Sequence, residues 1–502
     1  MEEVKKLLSN SFYLFLDWLL LTAISFLYWL VAGKLLLPSE YGIVSASMNL
    51  AFFVASLALL GLNAATWKLI SEFVARGKRE KIGSLIKFCL KVCVFSDLVV
   101  LTTFLLFSKP LSTLFNLPED AVRIIGFIVL FQTFSALFGM VMYGFQNMRG
   151  FLFTDVWAQL SKIITSAILI LLGFSYMGPL FGLLFSFLVL TLLRLKYLPF
   201  PLKGDKLDYK KIFWVYAIPA LISGISWMIF MNGQYVLLNS FRGSEETGFY
   251  TIAMLLTNPI ITIPRTLNSA LLPISSQLYV KKGKRKRHAK LIEMVFRYSL
   301  FVAIPLSLFL IIFSKQVIIL FSRPEYLPAT NFFYIVAAAS IVYAIGNLFL
   351  NNLYAIGKTK LNRNIVVATT ILFLIISPPL IISFGAGGLA AAYLIATIFL
   401  LLTSFYFLRR FLEIRIEWKD ILKISVASSL ASFVVYVIAI HTTGLLMNII
   451  ACVIGGSIYL LSLLILKFPK KEDIRLLEMI LEKIGINSKF SSKIFKFSKI
   501  SL

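Results

Sequence analysis

The sequence predicts an all-α polytopic membrane protein with 14 transmembrane helices, twelve of them in two parallel six-helix lobes and two added at the C-terminal end. Three observations predict it: the composition, a succession of apolar stretches with alternately charged loops, and an internal repeat. Of 502 residues, 59% are apolar on a count that includes Tyr, Trp and Cys, and only 14% are charged. A soluble domain carries roughly 45–50% apolar and about 25% charged residues. Too little polar surface remains to face water, which excludes a soluble enzyme, a disordered chain and a secreted disulfide scaffold. The 49 Lys and Arg against 23 Asp and Glu give a net charge of +26. A surplus of that size suits either a nucleic-acid binder or a membrane protein whose cations gather on one side, and the placement of the charges decides.

A helix needs roughly 20 apolar residues to cross about 30 Å of hydrocarbon, and in lipid only a helix satisfies its own backbone. Fourteen stretches qualify, near 12–33, 41–62, 84–107, 122–144, 156–174, 177–198, 212–239, 247–272, 291–313, 329–353, 364–384, 387–408, 421–441 and 444–466. Met1–Asn10 is amphipathic and lacks the apolar core of a cleavable signal peptide. Loops after even-numbered spans hold Lys68, Arg76, Lys78, Arg79 and Lys81, then Arg149, Lys203, Lys206, Lys210 and Lys211, the run 281–290, Lys358, Lys360, Arg363, Arg409, Arg410, Arg415 and Lys419. Loops after odd-numbered spans hold few cations, Lys34, Lys109, Arg123, Arg242, Lys315 and Arg323. The positive-inside rule therefore places both termini and the even-numbered loops in the cytoplasm. That answers the charge: most of it sets topology, and nucleic acid is not the expected partner.

Sliding the chain against itself by 206 positions superposes the second span on the eighth. Gly42 meets Gly248, Gly77-Lys78-Arg79 meets Gly283-Lys284-Arg285, Phe107-Ser108-Lys109 meets Phe313-Ser314-Lys315, and Pro118-Glu119 meets Pro324-Glu325; 18 of 79 ungapped positions from Gly42 to Asp120 are identical. After a further shift of about three, Gly178-Pro179-Leu180 meets Gly387-Gly388-Leu389. A six-span repeat returns each copy in the same orientation, so the lobes are parallel copies with a substrate site expected between them. The expected divisions are 1–200 for the first lobe, 201–211 for a cytoplasmic linker, 212–410 for the second lobe, 411–467 for spans 13 and 14, and 468–502 for a cytoplasmic amphipathic helix and basic tail. In that tail Ile474, Leu477, Leu481 and Ile484 share a face, followed by Lys489, Lys493, Lys496 and Lys499 among Phe490, Phe495 and Phe497, a pattern that suits an anionic leaflet.

A transport pathway would show as polar faces within spans. On the second span Ser45, Asn49, Ser56 and Asn63 lie along one helical face, and on the eighth Thr251, Asn258, Thr262, Arg265 and Ser269 do the same. The repeat matches Ser45 to Thr251, Ser56 to Thr262 and Asn63 to Ser269. Small polar residues also serve simply to pack helices in lipid. Arg265, whose repeat partner is Leu59, argues for the pathway: a cation inside the bilayer is costly and marks a cavity by default, and its planar fork suits phosphate. Pro259 and Pro264 are expected to break the eighth span locally. On the first span Trp18, Thr22, Ser25 and Trp29 share a face, flat rings beside hydroxyls that suit sugars. Asp17, one and a half turns into that span, and Asp97, mid-way along the third, are candidates for a coupling ion, H+ or Na+. Asp17 lies close enough to the interface to be wet, and Asp97 alternatively pairs with Lys162 or a hydroxyl. No cofactor is expected. Cys89, Cys93 and Cys452 have no ligand spacing, His288 and His441 fall on opposite sides of the membrane, and Gly385–Gly388 reads as a turn and not a phosphate loop.

Leu37-Pro38-Ser39-Glu40-Tyr41-Gly42, Gly61-Leu62-Asn63-Ala64-Ala65 and Arg76-Gly77-Lys78 resemble the opening of the prokaryotic polysaccharide-biosynthesis membrane proteins, the O-antigen-type, Wzx-like oligosaccharide flippases. Tyr354–Lys360 and Gly385–Ala391 are similar to later stretches of that family. The resemblance covers essentially the whole chain, and it is identified as a member of the wider multidrug/oligosaccharidyl-lipid/polysaccharide (MOP) exporter superfamily, with the lipid II flippases and the drug extruders. It implies two lobes in a V shape with spans 1, 2, 7 and 8 lining a cleft that holds a polyprenyl-pyrophosphate-linked glycan. Carried over from the lipid II flippases, it makes Arg265 the pyrophosphate contact, although here spans 1 and 2 hold no cation but Lys34.

The expected function is a flippase moving a lipid-linked oligosaccharide to the outer leaflet of a prokaryotic cell membrane by alternating access, as a monomer beside glycosyltransferases. The rivals are a cation-coupled multidrug exporter, which would need Asp17 or Asp97, a lipid II flippase, a non-transporting scaffold acting through its basic arm, and a membrane glycosyltransferase. The last would need a polar catalytic loop, and the sequence offers none.

Overall fold

The structure, a computed structural model, describes residues 2–199, 202, 204–205, 207–280, 285–441, 444–470 and 473. The expected tail helix and basic arm beyond 473, Lys203 and Lys206 of the linker, and residues 281–284 of the basic run lie outside the described residues. The described elements are helical throughout. The first copy of the repeat comprises α1 (Glu2–Leu35), α2 (Pro38–Ala58), α3 (Leu62–Ala75), α4 (Glu80–Leu106), α5 (Ser108–Phe115), α6 (Glu119–Gly144), α7 (Met148–Leu169) and α8 (Met177–Leu195). The second comprises α9 (Tyr209–Lys211), α10 (Ile218–Arg242), α11 (Ser244–Val280), α12 (Arg285–Ile312), α13 (Ser314–Phe321), α14 (Thr330–Ala355) and α15 (Thr359–Phe411), and α16 (Trp418–His441) and α17 (Leu445–Ile465) follow.

Twelve described helices are long and apolar enough to cross a membrane. This number differs from the expected fourteen at two places. The stretch Thr359–Phe411 leaves helical geometry at Gly385 (φ 58°, ψ −136°), so α15 is two helices joined at a kink, one at each of the expected spans 11 and 12, and counts once among the twelve. Helix α11, at the place of span 8, is 37 residues long but is not among the twelve, its apolar run being interrupted by its own polar face.

The repeat is visible in the elements. Helices α2 and α11 begin at Pro38 and Ser244, and α5 and α13 begin at Ser108 and Ser314, both pairs 206 apart. Helices α6 and α14 each hold 26 residues and are related by 211, the short 3-10 turn Pro324–Ala329 before α14 making up the difference. One departure reverses an expectation. Pro259 and Pro264 do not break α11, which is helical from Ser244 to Val280; the break falls in the first copy, where α2 ends at Ala58 and Leu60 and Gly61 both take positive φ (48° and 74°) before α3 begins. The reason is a close approach: a Cβ on Gly61 would lie 2.1 Å from the Ala217 carbonyl oxygen, so only glycine fits. Asn63 consequently sits on α3, where its side chain accepts the Ala64 amide at 2.9 Å, and not on a continuation of the second-span stripe.

The chain forms two compact units, Met1–Leu256 with Ile318–Phe332 and Val366–Ala396, and Thr257–Val317 with Phe333–Ile365 and Thr397–Leu502. In the first, Leu62, Ile70, Leu85, Ile86, Leu137 and Val141 lock α3, α4 and α6 into one dry core. In the second, Ile260, Ala303 and Ala337 join α11, α12 and α14, while Phe313, Val435 and Ala451 seat α16 and α17.

Candidate functional site

The two copies of the repeat meet at a crossing of α2 and α11, within the first unit. A Cβ on Gly42 would lie 1.7 Å from the Ser244 carbonyl oxygen, and a Cβ on its counterpart Gly248 would lie 2.0 Å from the Pro38 carbonyl oxygen. Ser244 and Pro38 are themselves 206 apart, so the same contact is made twice with the roles of the helices exchanged. One turn deeper, Thr251 Oγ1 donates to Ser45 Oγ at 2.8 Å, a bond between positions again 206 apart. A hydrogen bond between two copies of one position marks the axis relating the copies. Both residues are buried, so at this level the polar stripes serve helix packing.

The odd-loop ends of the bundle repeat the pattern. Lys34 Nζ donates to the carbonyls of Ile319 and Ser322 (2.7 and 2.8 Å), capping the end of α13, and Asn239 Nδ2 donates to those of Phe115 and Asn116 (2.7 and 2.8 Å), capping the end of α5. Glu40 accepts the Leu37 amide at 2.8 Å and the Ser175 hydroxyl, while its repeat partner Glu246 accepts the Ala386 amide at 2.6 Å. Ser175 (φ 49°, ψ −135°) and Gly385 (φ 58°, ψ −136°) share one unusual backbone conformation, each at the turn between the last two spans of its lobe. Lys34 is thus a helix-capping residue. Trp29, on the same helix, is wedged edge-to-face against Tyr28 and Tyr41, whose hydroxyl donates to the Trp29 carbonyl at 3.3 Å. Trp18 and Ser25 are half-buried, and the Trp18 carbonyl accepts the Thr22 hydroxyl.

Past the crossing, the α11 stripe changes character. Asn258, Arg265 and Ser269 are exposed and Thr262 is half-buried. Their hydroxyls turn inward on the helix itself: Thr262 to Asn258 Oδ1, Ser269 to the Arg265 carbonyl, and Thr266 to the Thr262 carbonyl, at 2.7 to 2.9 Å. The Arg265 guanidinium makes no hydrogen bond or ion pair with the described residues, although its charge acts on the Tyr343 phenol. On the first copy, Asn49 Nδ2 donates to the Ser45 carbonyl and Ser56 is half-buried. The stripe thus has two parts, a packed one at the axis and an open one beyond it carrying a cation.

The first lobe holds a charged core that the sequence reading missed. Arg194, buried near the end of α8, donates to Asp155 Oδ1 at 2.7 Å and to the Ser135 carbonyl at 2.7 Å, and stacks over Phe151. Gly139 makes room: a Cβ there would lie 2.5 Å from Arg194 Nη1. Asp17 feels the charges of Asp155 and Arg194 and is 8% exposed, so it is a buried group and not the wet one expected from its shallow position. Asp97 takes the hydroxyl alternative, accepting from Thr133 at 2.5 Å, while Lys162 sits over the Tyr28 ring. Asp17 and Asp97 each keep one buried carboxylate oxygen without a hydrogen-bond partner among the described residues. The signal available in sequence was a cation inside the sixth expected span, Arg194, and an acid at the edge of the fifth, Asp155.

A cavity of about 330 Å³ lies elsewhere, in the second unit, walled by Phe296, Leu300 and Ile424. Ion pairs fill its floor: Arg297 with Asp473 and Asp420, and Lys470 with Glu417 (2.5 Å) and Asp420 (3.0 Å). They staple α16 and the segment after α17 to α12.

With this geometry in hand, comparisons with known proteins place the chain. The profile of the family described as polysaccharide biosynthesis protein matches residues 7–279, and that described as MatE matches residues 219–380. The chain is 26% identical over 179 residues to the uncharacterized membrane protein MJ1068 of Methanocaldococcus jannaschii, an alignment spanning 36% of this chain and 35% of that one. It is 20% identical over 398 residues to the probable low-salt glycan biosynthesis flippase Agl15 of Haloferax volcanii, covering 79% of this chain and 82% of that one. Its fold is similar to that of the lipid II flippase MurJ in an inward closed conformation, with a TM-score of 0.72 at 18% identity over 91% of this chain and 98% of that one. An all-helical architecture, an internal repeat and a matching profile over more than half the residues agree: the chain belongs to the polysaccharide biosynthesis protein family.

Proposed function

We propose that this protein flips a polyprenyl-pyrophosphate-linked oligosaccharide from the cytoplasmic to the outer leaflet of a prokaryotic cell membrane, with both termini cytoplasmic. The observation that carries the reading is the open face of α11, where Arg265 stands without a counter-ion among the described residues, between Asn258, Thr262 and Ser269. A guanidinium held within a span is costly unless it meets water or an anion, and its fork matches pyrophosphate oxygens. The neighbouring hydroxyls and amide suit a sugar, while the lipid tail stays in the bilayer. The similarity to a probable glycan flippase supports the substrate class. Glycosyltransferases supply such a substrate, and anionic lipids pair with the basic even-numbered loops. Alternating access requires that the substrate stabilise the two access states unequally.

A coupling step is proposed at Asp17 and Asp97, because each holds a buried carboxylate oxygen that no described group satisfies. H+ or Na+ is the ion expected there. Proteoliposomes loaded with a fluorescent polyprenyl-pyrophosphate glycan test the whole reading. The wild-type chain should expose the probe to a membrane-impermeant quencher on the opposite side, and Arg265→Ala should not. Normal flipping by Arg265→Ala, or none by the wild type, refutes it; export of lipophilic cations that needs Asp17 or Asp97 but not Arg265 would favour the drug-exporter alternative.

A further inference from the structure

Helix α14 carries a polar feature outside the stripes. Asn351, Asn347 and Tyr343 stand four residues apart and so rise along one face. Asn351 Nδ2 donates to Asn347 Oδ1 at 2.6 Å, and Asn347 Nδ2 donates to the Tyr343 hydroxyl at 2.9 Å. Both asparagines are half-buried. A carboxamide offers two N–H donors and an oxygen with two lone pairs. The ladder uses one N–H of each asparagine and leaves the second N–H of both, and the Asn351 oxygen, without a partner among the described residues.

Two observations put this ladder beside Arg265. Helix α11, which carries Arg265, is bonded to α14 where Ser275 Oγ donates to Asn352 Oδ1 at 2.7 Å, and the Arg265 charge reaches Tyr343, the top of the ladder. The repeat gives the second. With α6 and α14 related by 211, Asn347 corresponds to Ala136 and Asn351 to Met140, and Arg265 corresponds to Leu59. In the first lobe Leu59 lies in an apolar cluster against which the half-buried Ala136 packs. The same neighbourhood is therefore apolar in one copy and holds a guanidinium and two amides in the other. Helix packing does not require that change, because the first copy packs without it. Polar groups persist at such a depth where they line a cavity or serve a ligand.

We infer that Asn347 and Asn351, the former anchored on the buried Tyr343, form a sugar-reading surface next to Arg265, taking the hydroxyls of the saccharide nearest the pyrophosphate. A sugar hydroxyl both donates and accepts, which matches the unused N–H groups and the open Asn351 oxygen. This assignment rests on the flippase reading and names the part of the ligand that α14 recognises, leaving the phosphate to Arg265.

The test uses the full chain in nanodiscs and two probes, a polyprenyl pyrophosphate bearing a disaccharide and the same lipid without sugar. Asn347→Leu and Asn351→Leu should each weaken binding of the sugar-bearing probe about tenfold, the size of one lost hydrogen bond to a ligand, and leave the sugar-free probe within about twofold. Arg265→Gln should weaken both. Asn347→Ser, smaller and still polar, should recover part of the loss and guards against misfolding of the Leu variants, whose melting temperatures should stay near the wild type. Equal effects on both probes, or none on either, overturn the assignment. A wild type that binds both probes equally also overturns it while the flippase reading stands; a wild type that binds neither refutes both.

Discussion

Substituting Gly42 by Ala tests the crossing at the repeat axis, and the structure sets the size of the effect. The new methyl would sit 1.7 Å from the Ser244 carbonyl oxygen and 2.8 Å from the Gly248 amide nitrogen. Ordinary contact is about 3.5–4.0 Å for carbon, and both obstacles are backbone, so no rotamer change relieves the clash. The helices must part by more than about 1 Å, which lengthens the 2.8 Å bond between Thr251 and Ser45 beyond hydrogen-bonding range. Overpacking of this kind costs typically 1–3 kcal/mol. At about 2 kcal/mol, the ratio of crossed to parted helices falls roughly 30-fold. The assay is disulfide trapping in a chain cleared of Cys89, Cys93 and Cys452, with Ser45→Cys and Thr251→Cys as the pair. The pair should cross-link readily, stop transport when oxidised and recover on reduction. Adding Gly42→Ala should slow cross-linking by more than tenfold. Cross-linking at the wild-type rate in the Gly42→Ala chain, or unimpaired transport by the oxidised pair, would refute the reasoning.

Breaking the buried pair in the first lobe should be costly, since Arg194→Met leaves Asp155 charged and without its partner. A loss of about 3–5 kcal/mol is expected, read as a clear drop in melting temperature in detergent, and Arg194→Met with Asp155→Leu should recover much of it. An unchanged melting temperature for the single variant would mean that Asp155 finds another partner. Glu246→Ala removes the carboxylate that accepts the Ala386 amide at the Gly385 turn. Its cost should resemble a lost helix cap, about 1 kcal/mol, and hydrogen exchange should rise locally at 385–388; no local change would count against the cap.

Much of the architecture was legible because the membrane constrains it so strongly. Apolar length, alternating loop charge and the 206-residue offset are one-dimensional signals, and each has a direct physical cause in lipid. The offset matched Ser45 to Thr251 as copies of one position, and only the structure shows that the two bond each other. Local rules were weaker guides. Pro259 and Pro264 suggested a broken α11, yet the break lies at Leu60–Gly61, because the Ala217 carbonyl presses against Gly61. A contact 156 residues away is invisible to any local pattern.

The sequence by itself determined the class of protein, the number of polar stripes and the one cation set within them, because composition and periodicity record how each helix meets lipid. Tertiary structure alone decided what each polar residue does. Ser45 and Thr251 lie on stripes like those of Asn258 and Arg265, but a helix crossing buries the first pair and leaves the second open. Asp17 reads as shallow along the chain and is buried by its neighbours. The Asn351–Asn347–Tyr343 ladder becomes meaningful only once α14 brings it near Arg265. Which neighbour a side chain faces is a property of packing between helices, and packing is set by residues far apart in the chain.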